Sequence, residues 1–305
     1  MPTIRIGTRG SQLALAQARE TKARLIAAHG LAEEEVELVI IKTTGDVVRD
    51  RPLADIGGKG LFTKEIEEAL LEGRIDMAVH SMKDVPAELP AGLEIVCHLP
   101  REDARDAFLS PVADSIEALP EGATVGTSSV RRAAQLLSMR PDLNIVPFRG
   151  NVDTRLRKLE EGVAQATFLA CAGLNRLGLA HKITQAVPVE VMLPAVAQGA
   201  IGIETRADDS RTRDLLAPLN DESTAVRVAA ERGFLIRLEG SCRTPLAAHA
   251  TLDENGTLHL VCEALTLDGR ARWRAQRHGA PRNAAEMGAD AAEHILAEAG
   301  ELLVR

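Results

Sequence analysis

Arginines and lysines recur where apolar runs give way to helical ones: Arg9, Lys83, Arg131, Arg132, Arg149, Arg155 and Arg176. In Val125-Gly126-Thr127-Ser128-Ser129-Val130-Arg131-Arg132 a strand runs into a helix start. Thr127 and Ser129 offer hydroxyls there, the helix N-terminus offers free N–H groups, and two arginines follow. A carboxylate or phosphate suits that set, because guanidinium groups bind both through paired hydrogen bonds. Arg149-Gly150-Asn151 repeats the arrangement after the next strand, with Arg155 about one helical turn further on. Any one of these arginines reads equally as solvated surface charge. Their joint recurrence at such junctions points to a polyanion, of polycarboxylate type.

Two further residues carry possible chemistry. Asp84 stands beside Lys83 in His80-Ser81-Met82-Lys83-Asp84-Val85-Pro86, at the end of a strand-like run. It is either a carboxylate held ionised by neighbouring cations or a turn-forming, helix-capping Asp ahead of Pro86. Cys242 follows a helix and a turn, with Arg243 next to it, so a thiolate is one reading and an inert thiol the other. Cys97, Cys171 and Cys262 read as structural; Cys262 alternates in phase with Leu258 and Leu260 on a strand face expected to be buried. No two cysteines have metal-ligand spacing. The loop Asp55-Ile56-Gly57-Gly58-Lys59-Gly60 is not a phosphate loop, since Gly60 rather than Ser or Thr follows Lys59; a mobile lid suits it better.

The elements that must position these groups alternate. Strands at Thr3–Thr8, Val36–Lys42, Ile75–His80 and Leu93–His98 are interleaved with helices at Ser11–His29 and Thr63–Glu72, which predicts an α/β domain with a mostly parallel sheet. A second unit of the same kind follows: Thr124–Gly126, Asn144–Phe148 and Thr167–Cys171 as strands, Ser129–Ser138 and Val152–Glu161 as helices. In both, ligands are expected beyond the carboxyl ends of strands. Val196–Thr205 reads as a strand that could return to the first sheet. After Asn220 come a helix at Ser223–Leu238, three strands divided by Asn255-Gly256 and Asp268-Gly269, and a closing helix at Ala284–Ala299. The expected organisation is a discontinuous α/β domain over 1–99 and 197–218, a second over 100–196, and a small α+β domain over 219–305.

Composition excludes some functions. The chain has 305 residues and a formal charge of −8, with five Phe, one Trp and no Tyr. An acidic chain without aromatic platforms argues against nucleic acid as partner. No apolar run reaches the roughly 20 residues of a membrane span. The strand-like N-terminus carries no signal-peptide core, so the expectation is a cytoplasmic protein.

Several segments together resemble the porphobilinogen deaminase family. They are Gly7-Thr8-Arg9-Gly10-Ser11, Thr44-Gly45-Asp46, Gly57-Gly58-Lys59-Gly60-Leu61-Phe62 and His80-Ser81-Met82-Lys83-Asp84-Val85-Pro86. Further along come Arg101-Glu102-Asp103, the Gly126 to Arg132 segment, Phe148-Arg149-Gly150-Asn151-Val152 and Ala172-Gly173-Leu174. Leu193-Pro194-Ala195-Val196-Ala197-Gln198-Gly199 and Leu238-Glu239-Gly240-Ser241-Cys242 complete the set, in family order across essentially the whole chain.

The resemblance implies two periplasmic-binding-protein-like α/β domains around a cleft, plus a small α+β domain carrying an anchor cysteine. It implies a monomeric transferase that condenses four porphobilinogen molecules head to tail, with loss of ammonia, into hydroxymethylbilane. A dipyrromethane cofactor, held by a thioether at Cys242, would prime the chain. By matched position, Asp84 is the catalytic carboxylate. Lys83, Thr127, Ser129, Arg131 and Arg132 hold the primer, and Arg9, Ser11, Arg149, Arg155 and Arg176 bind substrate. Lys59 and Phe62 belong to the lid and its hinge side, and Gln198 to the interdomain crossing. Two positions depart from the family pattern: Ser241 replaces a Gly before the anchor, and Asp55 replaces a lid Lys. The competing reading is a non-catalytic, periplasmic-binding-protein-like protein for small anions, which has no need of Cys242.

Overall fold

The structure is a computed structural model that describes residues 3–47, 60–238 and 244–303. Cys242, Ser241, Lys59 and Asp55 lie outside the described residues. The strands, in chain order, are β1 (Ile4–Thr8), β2 (Val36–Ile40), β3 (Met77–Ser81), β4 (Leu93–His98), β5 (Asp106–Leu109), β6 (Thr124–Gly126) and β7 (Asn144–Val146). They continue with β8 (Ala166–Ala170), β9 (Gln185–Ala186), β10 (Ile201–Arg206), β11 (Leu246–Leu252), β12 (Leu258–Leu265) and β13 (Arg272–Gly279). The chain divides into two compact units, 1–102 with 199–225, and 103–198 with 226–305.

The first unit is built on a five-stranded sheet of order β2-β1-β3-β10-β4. Its longest helix, Gln12–His29, buries Ala14, Gln17, Ala18, Thr21 and Leu25, a spacing that keeps one face on the sheet. Ser11 caps its start by accepting from Ala14 N–H at 3.3 Å, and Gly30 ends it in the left-handed region at φ 64°. Ile6, Leu25, Val36, Met77, Cys97, Ile201 and Ile203 form the core beneath.

The second unit contains the sheet β7-β6-β8-β5-β9 and the antiparallel meander β11-β12-β13. Phe108 on β5 lies directly opposite Phe168 on β8, with ring centroids 5.4 Å apart. The helix Ala284–Ala299 turns Ala284, Met287, Gly288, Ala291, Ala292, Ile295 and Ala299 inward. Cys262 is buried in phase with Leu258 and Leu260, as its alternation predicts.

Both α/β sheets are mostly parallel, as expected, with four of five strands running the same way, but each holds one reversed strand. β10 runs antiparallel to both β3 and β4, and β5 runs antiparallel to β8 and β9. A parallel pairing needs a crossover along the sheet face. Here each strand instead enters at the carboxyl edge of its neighbour, Ile201 opposite Ser81 and Asp106 opposite Ala170, and so runs back. The strand expected over Val196–Thr205 begins only at Ile201, because Ala197 at φ 58° and Gly199 at φ 90° form a turn before it. Cys171 starts the short helix Cys171–Arg176 rather than ending a strand.

Candidate active site

In the first unit, the carboxyl ends of β1 and β3 open onto a pocket lined by Arg9, Ser11, Phe62, His80, Ser81 and Asp84. Asp84 lies in a 3₁₀ turn, Met82–Asp84, that leaves β3 directly. Met82 is the buried anchor of that turn, whereas Lys83 and Asp84, which follow it, are exposed. The Arg9 guanidinium stands 3.9 Å from the Asp84 carboxylate and 4.1 Å from the Phe62 ring centroid. A cation is thus held between an aromatic face and a carboxylate. Ser11, already engaged as a helix cap, presents its hydroxyl on the same wall.

Below this pocket the polar groups are tied down. Gln17, buried on the long helix, donates to Ser81 Oγ at 2.8 Å. His80 Nε2 and Glu204 Oε2 are 2.9 Å apart and both residues are buried. His80 is therefore a packed, carboxylate-partnered histidine and not an exposed base. Burial pushes the nearby Glu67 carboxyl up, against the Thr63 hydroxyl and with the help of Glu204.

In the second unit the groups expected to hold a carboxylate gather at the carboxyl end of β6. Thr127 is buried, its N–H donates to Val146 O at 2.9 Å, and its hydroxyl accepts from Ser129 N–H at 3.1 Å. Ser129 caps the helix Val130–Met139 by accepting from Arg132 N–H at 3.4 Å. Gly126 leaves the space that the Phe148 ring fills; a side chain there would overlap the ring and displace the segment carrying Arg149. Arg149 follows, half-buried, while Arg155 donates from Nε to Gly150 O at 2.9 Å. Arg176 closes the helix Cys171–Arg176.

Arg131 and Arg132 are not surface charges. They are 4% and 5% exposed, and both meet Asp106, which is fully buried. Arg131 Nη1 donates to Asp106 Oδ2 at 2.8 Å and to Leu193 O at 2.8 Å. Arg132 donates to Asp106 Oδ1 from Nε at 3.0 Å and Nη2 at 2.6 Å, and to Phe168 O from Nη1 at 2.8 Å. Gln198 adds a bond from Nε2 to Asp106 Oδ1 at 3.1 Å and another to Ala104 O at 2.7 Å. Burial alone would raise the Asp106 carboxyl, but the two guanidiniums hold it well below the usual carboxylate range.

Asp106 is the site residue that sequence reasoning missed. It heads the apolar strand Asp106-Ala107-Phe108-Leu109. The one signal for it was the adjacent Arg131-Arg132 pair, since two buried cations require a counter-charge. The antiparallel direction of β5 is what brings it to the edge where β8 ends.

This arrangement also tests the fit of a carboxylate-bearing group. One carboxylate against two guanidiniums leaves a net positive charge in a buried place. Among the described residues, Arg131 Nε and Arg149 Nη1 are buried N–H donors without a hydrogen-bond partner. Unmet donors of that kind suit an acidic ligand. The three described cysteines do not supply a nucleophile: burial pushes the Cys97 and Cys171 thiols up to about 12, and the Cys262 thiol well above its ordinary value. No group of three metal-ligating side chains occurs among the described residues, and none of their helices is long and apolar enough to cross a membrane.

Residues 4–214 match the family model for the porphobilinogen deaminase dipyromethane cofactor binding domain, and residues 225–297 match its C-terminal domain. A porphobilinogen deaminase of Paracoccus denitrificans is 60% identical over 296 residues, covering 97% of this chain and 94% of the relative. A chloroplastic porphobilinogen deaminase of Oryza sativa subsp. japonica is 56% identical over 302 residues, covering 97% and 84%. Among solved structures, a periplasmic substrate-binding protein of an ABC transporter from Coxiella burnetii aligns with a TM-score of 0.44 at 16% identity, covering 75% of this chain and 97% of that one.

Proposed function

The chain belongs to the porphobilinogen deaminase family, and from that premise we propose that it condenses four porphobilinogen molecules head to tail into hydroxymethylbilane, in the cytoplasm and as a monomer. The observation that carries the reading is the buried Arg131–Asp106–Arg132 cluster, whose excess positive charge and unmet Arg131 N–H call for a carboxylate. Each porphobilinogen carries an acetate and a propionate, so the growing chain brings two carboxylates per ring.

The dipyrromethane, joined to Cys242 by a thioether, supplies the first free pyrrole α-carbon. Lys83, Thr127, Ser129, Arg131 and Arg132 hold its carboxylates. Arg9, Ser11, Arg149, Arg155 and Arg176 bind those of the substrate and the growing chain. Lys59 and Phe62 serve the lid and its hinge side, and Gln198 the crossing segment.

In each condensation the C–N bond of the substrate aminomethyl group breaks and the nitrogen leaves as ammonia with the bonding pair. A pyrrole α-carbon then forms a C–C bond to the cationic methylene, and its hydrogen departs as a proton. Asp84 faces both changes of charge. As a carboxylate it stabilises the cation and accepts from pyrrole N–H groups; protonated, it can give a proton to the leaving nitrogen. Arg9, 3.9 Å away, is placed to meet a substrate carboxylate beside it. Water finally releases the linear tetrapyrrole.

The reading is tested by supplying porphobilinogen to the purified chain and following ammonia and a linear, Ehrlich-reactive tetrapyrrole together. Release of one ammonia per porphobilinogen consumed, with that product, supports it. Saturable binding of porphobilinogen without ammonia release would establish the competing anion-binding reading instead.

A further inference from the structure

The bonds that reach Asp106 do not stop at the arginines. Arg131 Nη1 also donates to Gln135 Oε1 at 3.2 Å, one turn along the helix Val130–Met139. Gln135 Nε2 in turn donates to Glu263 Oε1 at 2.7 Å, and to the Leu193 carbonyl at 3.1 Å that Arg131 shares. Glu263 lies on β12, with Ala247 of β11 on one side of it and Arg274 of β13 on the other. Its second oxygen accepts from Arg272 Nε at 2.6 Å. Asp106, Gln135 and Glu263 are all buried.

The residue types are specific to this route. Gln135 accepts from a cation through its oxygen and donates to an anion through its nitrogen. A Glu there would face Glu263, a Lys would face Arg131, and neither could make both bonds. A buried, hydrogen-bonded polar chain of this kind fixes geometry more than it adds stability. What it fixes here is the helix of the primer-holding arginines against a sheet whose first strand, β11, begins at Leu246, only a few positions after Cys242.

We propose that Asp106, Gln135 and Glu263 are positioning residues for primer loading, setting the register between the carboxylate-holding arginines and the sheet that follows Cys242 in the chain. The proposal rests on the function proposed above. Misplacing a binding group by about 1 Å costs on the order of a hundred-fold in rate in such pre-organised sites, so a loss of at least about ten-fold in loading follows from breaking the Gln135–Glu263 bond.

The experiment uses the full chain made in cells unable to supply porphobilinogen, then incubated with it. Intact mass follows the gain of two pyrrole units over time, and thermal unfolding gives the folded fraction. Compared are the wild-type chain, Gln135→Glu, Glu263→Gln and the pair Q135E/E263Q, which restores one amide–carboxylate bond with donor and acceptor exchanged. The expected result is loading per folded molecule reduced at least about ten-fold in both single variants and largely recovered in the pair. Single variants that load at the wild-type rate overturn the proposal, as does a pair no better than its worse parent. If Gln135→Glu does not fold, Gln135→Met keeps the volume without either bond and is read in the same two ways. A wild-type chain that takes up no pyrrole at all overturns the parent reading of function instead.

Discussion

Two aspartates in this molecule are handled in opposite ways. Asp106 is fully buried, accepts hydrogen bonds from Arg131, Arg132 and Gln198 at 2.6–3.1 Å, and is held deep in its ionised form. Asp84 keeps 36% of its side chain exposed, with Arg9 at 3.9 Å. The first is a fixture: a carboxylate held ionised fixes two guanidiniums in one geometry. The second leaves room for a substrate and for a proton. A binding group gains from being locked, whereas a reacting group must be able to change its partners during turnover.

Removing each carboxylate separates the two roles. The largest effect on rate is expected at Asp84. Asp84→Ala should lower turnover by about 10²–10⁴-fold, while thermal unfolding shifts little, as for most exposed substitutions. An equally large loss of stability would erase the contrast. Asp106→Ala should act first on stability, lowering it by about 3–5 kcal/mol in denaturant titration, because it leaves buried cations uncompensated.

Acid sharpens the comparison further. The folded-state pKa of Asp106 is depressed, so its contribution to stability is complete above the unfolded value of about 3.9. It is lost as the pH falls below that value and through the folded one. Stability measured between pH 5 and 2 should therefore fall more steeply for the wild-type chain than for Asp106→Asn. A parallel pair of curves would remove Asp106 from the cause. The smallest effect concerns the thiols. Cys97, Cys171 and Cys262, all buried with raised pKa values, should resist alkylation in the native chain at neutral pH and react on unfolding.

Much of this was legible in the sequence, for identifiable reasons. The long helix was bounded by its own cap residues, Ser11 and Gly30, and the C-terminal meander by Asn-Gly and Asp-Gly turns. The pocket residues Arg9, Ser11 and Asp84 were legible because each follows an apolar run that becomes a strand, and strands of one sheet end together. What was hidden depended on direction and partnership. β5 is four residues long and antiparallel, and no periodicity in so short a run reveals which edge its first residue reaches. For the same reason Arg131 and Arg132 read as open charges, when Arg131 spends Nη1, and Arg132 all three of its guanidinium nitrogens, on Asp106 and backbone carbonyls. The Gln135–Glu263 bond spans 128 positions of sequence and left no local trace.

The covalent primer is the claim on which the rest depends, and the intact mass of the purified chain beside its Cys242→Ser variant tests it most directly. The wild-type chain should carry an added mass equal to two linked pyrrole units, and the variant should carry none. An unmodified wild-type chain that also fails to gain that mass when given porphobilinogen would contradict it.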